Sequence, residues 1–453
     1  MSRKFVLLIS ALAVSCVLLL AAWGSVRIPF AQDRANSYLH KNYPLFDIDF
    51  DAARLTWKPG GRRVDLHLDN VTVTDIAGDD VAGIPALVVS IEPFSLFSSD
   101  PRPQVIRLEQ PSIRLERTAG GALKVDVGPT GDGSSGTLEL AMLIDFANQS
   151  EDLSRDADPP EIQMVDAQLT LIDERSGARF AFSPVNLILN RTNEGLRADA
   201  TLRARTGGEM LDISLSAVFR MRDKSVWLTT DFTNANPAIL SELLPGLKAL
   251  EPIEIALSGR ATMVLDGEIA LRTVDLLVWG GPGSVELAQY TGANIALTTL
   301  RANLSYLGTT DRLLISNLSL DLGGRHLTGS LSSTPSDAAH RTFTGDLMLR
   351  NTAWGDVMPM WFATLDRLET AASVSVLREG TEQRLRFETA MEAQTGRLEG
   401  LGLMTFGSPP PESMAENGNE DMGTATTRSI QVFIAGTLMK PQITLGAFRT
   451  APP

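Results

Sequence analysis

From residue 48 onward the chain alternates between apolar and polar positions. Val64, Leu66 and Leu68 occupy every second place, and Val71 and Val73 continue one position out of phase, which predicts a bulge between them. Further on, Leu196, Ala198, Ala200, Leu202 and Ala204 interleave with Arg197, Asp199, Thr201, Arg203 and Arg205. Leu211, Ile213, Leu215, Ala217, Phe219 and Met221 repeat the pattern, with Ser214 and Ser216 on the wet side. Ile253, Ile255 and Leu257, then Ala261, Met263 and Leu265, carry it through Gly259. A period of two is the signature of a strand with one apolar and one polar face. Asn193-Glu194-Gly195, Thr206-Gly207-Gly208, Asp266-Gly267 and Gly323-Gly324 supply turns between such runs. Read this way, the chain holds about 23 strands, many of about 9–13 residues, longer than the usual ~5–6.

Few segments break the pattern. Residues 5–23 are apolar apart from Ser10, Ser15 and Cys16 and follow Arg3 and Lys4. As a helix they span about 28 Å, close to the ~30 Å hydrocarbon thickness of a bilayer. A cleaved signal peptide has a shorter apolar region and small residues at its cleavage site, whereas Ala21-Ala22-Trp23-Gly24-Ser25 fits poorly. A lipoprotein signal at Cys16 is opposed by the apolar residues after it. Residues 1–25 are therefore expected to be a transmembrane anchor, and 26–128 a juxtamembrane helix followed by a first β unit. Residues 129–160 are expected to be a linker with a helix over 137–148, and 161–406 a run of long-strand repeats. Shorter helices are expected at 237–250 and 357–367. A disordered loop at 407–428 and closing strands at 429–453 complete the chain.

Composition narrows the function. Charged residues make up 21% and aromatics 6%, with 37 Gly and 24 Pro among 453 residues, which suits strands and turns. The net charge of −14 and the lack of a basic stripe argue against nucleic acid. Cys16 is the sole cysteine, so no disulfide framework or thiolate metal site is available. His40, His67, His326 and His340 are far apart and have no metal-ligand spacing. Asp47, Asp49 and Asp51 lack the Gly and Glu of a calcium loop, since Ala52 and Lys58 stand there, and read as the wet face of a strand. The arginines between Arg191 and Arg222, and Arg62-Arg63, read as solvated strand faces. Gly281-Pro282-Gly283 and the glycines from Gly400 to Gly407 read as turns. No catalytic residue, metal site or cofactor is expected, and an enzyme is not.

The pattern poses a physical problem. Every long strand has an apolar face to remove from water, and helices are too few to cover it. Either two sheets pack face to face, or one sheet curls around something apolar.

The order of motifs resembles the AsmA-like family, in particular its YhdP-type branch, which is related to TamB. Val71-Thr72-Val73-Thr74-Asp75, then 81–91 around Gly83-Ile84-Pro85, then Val105-Ile106-Arg107-Leu108-Glu109-Gln110-Pro111 are similar to the family's opening unit. The run Val165 to Asp173 with Gly177 after it resembles the family's long hairpin, and 237–259 its short helix and following strand. Gly436-Thr437-Leu438 before Pro441 is similar to the closing strands. Relatives of this branch are usually much longer.

The resemblance implies a bacterial bridge-like lipid-transfer protein: mainly β, with one transmembrane helix before a long repetitive antiparallel sheet curled into an elongated groove. It implies an inner-membrane, single-pass protein with its bulk in the periplasm, engaged in phospholipid transport and outer-membrane biogenesis. Its partners would be phospholipid acyl chains, the inner membrane and an outer-membrane or periplasmic protein. Leu196, Ala198, Leu202, Leu211, Ile213, Leu215, Phe219, Leu257, Met263 and Leu265 are the expected groove lining. Under the rival reading, a membrane-tethered scaffold or assembly factor for outer-membrane proteins, the same residues are the core of a solid β-sandwich. Because positive residues flank the anchor on its N-terminal side, a reporter fused after Pro453 is expected to be active only outside the cytoplasm. Cytoplasmic activity, or a mature chain beginning near Ser25, would overturn this topology.

Overall fold

A computed structural model describes residues 25–26, 46–57, 63–75, 80–92, 103–120, 123–128 and 138–139 and, with short gaps, 160–241, 251–286, 294–351, 382–407, 428–437 and 440–450. The anchor up to residue 24, most of the juxtamembrane and linker segments, the 357–367 helix and the 408–427 loop lie outside the described residues. Among the described residues no helix is long and apolar enough to cross a membrane. The fold is mainly β, with two compact units, 1–221 and 222–453.

The first unit starts with β1 (Ser25–Val26), paired antiparallel to β3 (Ala52–Trp57). Both β2 (Phe46–Asp49) and β3 pair with successive stretches of β4 (Val64–Asp75), and β4 with β5 (Asp80–Ile91). No register shift marks the bulge predicted between Leu68 and Val71. The β4–β5 pairing skips Asn70, with a φ of 51°, and Pro85 together, Leu68 and Val71 enter one cluster, and the shift falls at Val73/Thr74. β6 (Pro103–Glu109) pairs with β5, β7 (Ser112–Arg117) with β8 (Leu123–Val127), and β8 with β9 (Leu138–Glu139). Leu138 and Glu139 are thus strand residues, inside the segment where the sequence predicts a helix.

The expectation of an antiparallel sheet throughout needs correction at β10 (Glu161–Asp173). Its two halves lie parallel to β6 and to β7. A parallel neighbour requires a crossover connection, and residues 129–160 are long enough to supply one. The 129–160 stretch therefore separates strands in sequence that are neighbours in the sheet. At the joint, Gln110 N–H donates to Val165 O and Gln168 N–H donates to Pro111 O, both at 2.9 Å. Pro111 has no N–H to offer and sits where the two parallel ladders meet. Asp166, left out of the ladder with a φ of 54°, donates its N–H to Asn186 Oδ1 at 3.0 Å.

Beyond this joint the pairing is a plain antiparallel meander: β11 (Ala178–Thr192), β12 (Gly195–Thr206) and β13 (Glu209–Arg220). Gly177, with a φ of 70°, closes the β10–β11 hairpin by donating its N–H to Asp173 O.

The second unit continues the alternation: β14 (Ser225–Ala235), β15 (Ile253–Leu265), β16 (Leu271–Val285), β17 (Ile295–Leu297), β18 (Thr299–Leu307), β19 (Arg312–Asp321) and β20 (His326–Pro335). It ends with β21 (His340–Arg350), β22 (Glu382–Glu392), β23 (Arg397–Gly407), β24 (Arg428–Thr437) and β25 (Lys440–Thr450). Consecutive strands pair antiparallel from β14 to β17 and from β18 to β25, and β16 also pairs with β18. Pro237, Ala238 and Ser241 are helical, in agreement with the start of the 237–250 segment.

Two glycine-rich stretches read as turns prove to be strand. Gly281-Pro282-Gly283 lies inside β16, where the strand changes partner from β18 to β17. A proline costs no ladder hydrogen bond at such a break. Gly400 and Gly402 lie inside β23, where a Cβ on Gly400 would come within 2.3 Å of Glu388 O.

A glycine at the β11–β12 hairpin is tightly constrained. Gly195 has a φ of 146°, and a Cβ there would lie 1.9 Å from Phe219 O. Gly177→Ala meets open space and bears only the left-handed backbone strain of about 1–2 kcal/mol. Gly195→Ala adds a collision with a paired backbone and is expected to lower the melting temperature clearly more. Equal melting temperatures for the two variants would show that the hairpin yields freely.

Candidate functional site

Directly paired residues share a face of a sheet, so the register traces where the apolar side chains go. In the first unit Ile162, Leu189, Ala198 and Ala217 form one row across β10–β13. Met164, Leu187, Ala200 and Leu215 form the next, then Ala167, Val185, Leu202 and Ile213. Seven of the ten expected lining residues thus lie on one face of β12 and β13. Leu196 opposes Phe219, Ala198 opposes Ala217, and Leu202 opposes Ile213. Phe180 and Phe182 stack with centroids 6.1 Å apart on β11.

Burial divides this face. Leu211 and Ala204, directly opposed, are buried at 3% and 4% exposure. Leu196, Ala198, Leu202, Ile213, Leu215 and Phe219 are only half-buried. The opposite end of the same unit is filled, where Leu68, Val71 and Ile84 cluster with Leu87, Leu108 and Val127 packed against them.

The other three expected residues, Leu257, Met263 and Leu265, lie on β15 in the second unit and are half-buried. Their face holds a longer feature. Ala261, Leu276, Leu304, Ile315, Leu331, Gly345, Phe387, Gly402 and Val432 are successive partners from β15 to β24. This is one unbroken row of apolar or glycine positions across nine strands. It is half-buried as far as Gly402, and Val432 is fully buried. None of these residues is among the expected lining, although Ala261 belongs to the alternating run of 253–265 and the same alternation runs through 295–306 and 313–322. Beside the row, Leu327, Leu347, Leu349, Leu385, Met404 and Ile430 form a filled cluster.

The other face carries paired charges, and among them stand some of the most exposed large apolar side chains, Leu401, Leu403, Leu277 and Trp279. Arg203 Nε donates to Asp212 Oδ1 at 2.8 Å, Arg260 Nε to Asp231 Oδ1 at 2.6 Å, and Arg384 Nε to Asp346 Oδ1 at 2.6 Å. Arg386 reaches Asp346 as well, at 3.2 Å. Arg197 and the Ser216 hydroxyl both bond Asp199. Arg197 and Arg203 therefore sit on a wet face, as the alternation predicts. Ser214 is exposed, but Ser216 is tied to Asp199, so the two serines are not equivalent positions.

Nothing among the described residues assembles reactive chemistry. His67 Nε2 is 2.9 Å from the Thr56 hydroxyl, and His340 Nδ1 is 3.0 Å from Asp337 Oδ1. Asp47, Asp49 and Asp51 are exposed, with Ile48 and Phe50 half-buried between them. No group of three metal-competent side chains occurs among the described residues. An open recess of about 600 Å³ lies on β19–β23, lined by Arg312, Asp346, Arg386 and Glu388 and, in equal number with its polar residues, by apolar or glycine positions including Leu331, Phe387, Leu401 and Leu403. It brings together both signs of charge and no nucleophile–base pair. The apolar face is the candidate site.

No protein-family model, curated protein or solved structure matches the chain.

The paired charges set an acid dependence. The Arg384 guanidinium, and then Arg386, hold the Asp346 carboxyl below its usual range. A depressed carboxylate contributes stability above its unfolded value, about 3.9, and loses it as pH falls through the folded value. Melting temperature is expected to fall as pH is lowered from about 4 toward 2. Asp346→Asn should flatten part of that slope by lowering the melting temperature modestly at pH 7 and leaving it nearly unchanged near pH 2. An unchanged slope would show that the pair does not stabilise the fold.

Proposed function

We propose that the chain is a non-enzymatic, single-pass inner-membrane protein whose periplasmic sheet curls into an elongated groove for phospholipid acyl chains. Its role is lipid transport between inner and outer membrane during outer-membrane biogenesis, as in the AsmA-like, YhdP-type proteins that its sequence resembles. The observation that carries this reading is the half-buried apolar face. Leu202 and Ile213 in the first unit, and Leu276 and Leu304 in the second, oppose each other across paired strands yet keep part of their surface open. Covering apolar surface is worth about 25 cal/mol per Å². Acyl chains supply a cover that slides, because dispersion and hydrophobic contacts have no direction, while head groups stay in water. Passage along such a face needs no catalytic group.

The filled clusters around Leu68 and Leu349 favour the second reading, a tethered assembly factor with a solid core. One pair of substitutions separates the two. Ser214→Asp places a charge on the exposed face and is expected to be silent. Ile213→Asp places it among Leu202, Val185 and Ala167. An open groove hydrates the new carboxylate, so the protein should stay folded and lose the lipid that co-purifies with the wild type. In a filled core the same charge is buried without a partner, costs several kcal/mol and unfolds the unit. Melting temperature together with mass spectrometry of bound lipid reads both outcomes. Lipid-free wild-type protein would sink the lipid reading.

A further inference from the structure

We propose that the lipid path in the second unit has an end, at β20–β24, and that Phe387 is the residue that stops it. This rests on the lipid-groove reading above and departs from a conduit open throughout. The argument starts from burial along one face. On β15, β16, β18 and β19 the row residues Ala261, Leu276, Leu304 and Ile315 are all half-buried. The flank of the row is tight at the small Ala302 on β18, at 9% exposure, and from β21 onward larger side chains close it: Leu347 is at 8%, Leu385 at 5% and Met404 at 1%. A side chain with no accessible surface has no room beside it for an acyl chain.

One lane remains through the closed block. Leu331, Gly345, Phe387 and Gly402 are directly paired neighbours on β20–β23, and all four are half-buried. Two of the four have no side chain, which leaves a shallow strip one residue wide. The Phe387 ring occupies it. A Cβ on Gly345 would lie 2.3 Å from Phe387 Cε1 and 2.5 Å from Cζ, so the ring lies across the glycine. No backbone atom is among those nearest contacts, so the glycine makes room for the ring. The ring also packs against the filled cluster, and the next residue in the row, Val432, has no exposed surface. Cargo moving along the row from β15 meets the ring first and the filled cluster next, and has to leave sideways between β19 and β22.

The test uses the full chain in phospholipid nanodiscs, with a phospholipid carrying a diazirine at the end of one acyl chain. After illumination, labelled peptides are mapped by mass spectrometry. In the wild type, label is expected on peptides holding Leu276, Leu304, Ile315 and Leu331, and at least tenfold less on those holding Met404 and Val432. Phe387→Ala is expected to carry label onto β23 and β24. Gly345→Ala, which drives the ring off the sheet, is expected to withdraw label from Leu331. Melting temperatures of both variants identify any that fail to fold, and in that case Phe387→Leu, a smaller reduction of the same side chain, replaces the alanine. Wild-type label spread evenly from β15 to β24, or a map unchanged in folded variants, overturns the stop and leaves the lipid reading standing. No specific label anywhere in the wild type overturns both.

Discussion

The whole structure depends on a mismatch inherent in an alternating strand. A hydrogen-bonded ladder satisfies every backbone group but leaves one face of each strand apolar, and that face has to be taken out of water by something else. On the opposite face the charges are paired across strands, although Leu401, Leu403, Leu277 and Trp279 stand exposed among them. Asp231 with Arg260 and Asp346 with Arg384 and Arg386 are cross-strand ion pairs, which keep registered neighbours together at modest energy in open solvent. The apolar face has two solutions within each unit. Around Leu68 and around Leu349, side chains fill the space and cover one another. Along β12–β13 and β15–β19 they do so only in part.

The face of each side chain was legible in the sequence, because a period of two allows only two answers. The odd step between Leu68 and Val71 was legible too, but it is taken up by Asn70 in a left-handed conformation opposite Pro85, with no change of register, rather than by a bulge. The neighbours of each strand were less so. Antiparallel meander pairing follows from short turns, but β10 lies beside β6 and β7 through a parallel joint that no local signal marks. Glycines misled for a physical reason. Gly281, Gly283, Gly400 and Gly402 suggest turns when read one strand at a time, yet each serves close approach by a neighbouring strand. Burial was hidden altogether. Leu211 and Leu215 stand on one face of β13 with the same local pattern, and only the fold makes one buried and the other half-buried.

That division separates stability from use. A residue such as Leu349 or Met404, wholly enclosed, contributes both transfer and packing energy, and truncating it costs on the order of 2–5 kcal/mol. A half-buried Leu215 contributes less, because its uncovered side has no partner atoms to lose. The filled clusters are therefore where each unit holds itself together. On the proposed reading, the half-buried rows change occupant without changing the fold, since their neighbours are not packed against a fixed surface.

A surface used for a sliding apolar cargo has to meet two opposed demands. It must stay dry enough to favour the cargo and open enough to release it. Complete packing satisfies the first and defeats the second, whereas a fully exposed apolar strip invites strand-edge and surface association with other chains. Partial burial by neighbouring strands lies between these limits. It also predicts what evolution at these positions can vary. Size is tolerated at Ile213 or Leu304, because no jigsaw contact constrains it from the open side, while polarity is not. At Gly345 the order reverses: the Phe387 ring already fills the available space, so a single added methyl is felt before any change of polarity matters.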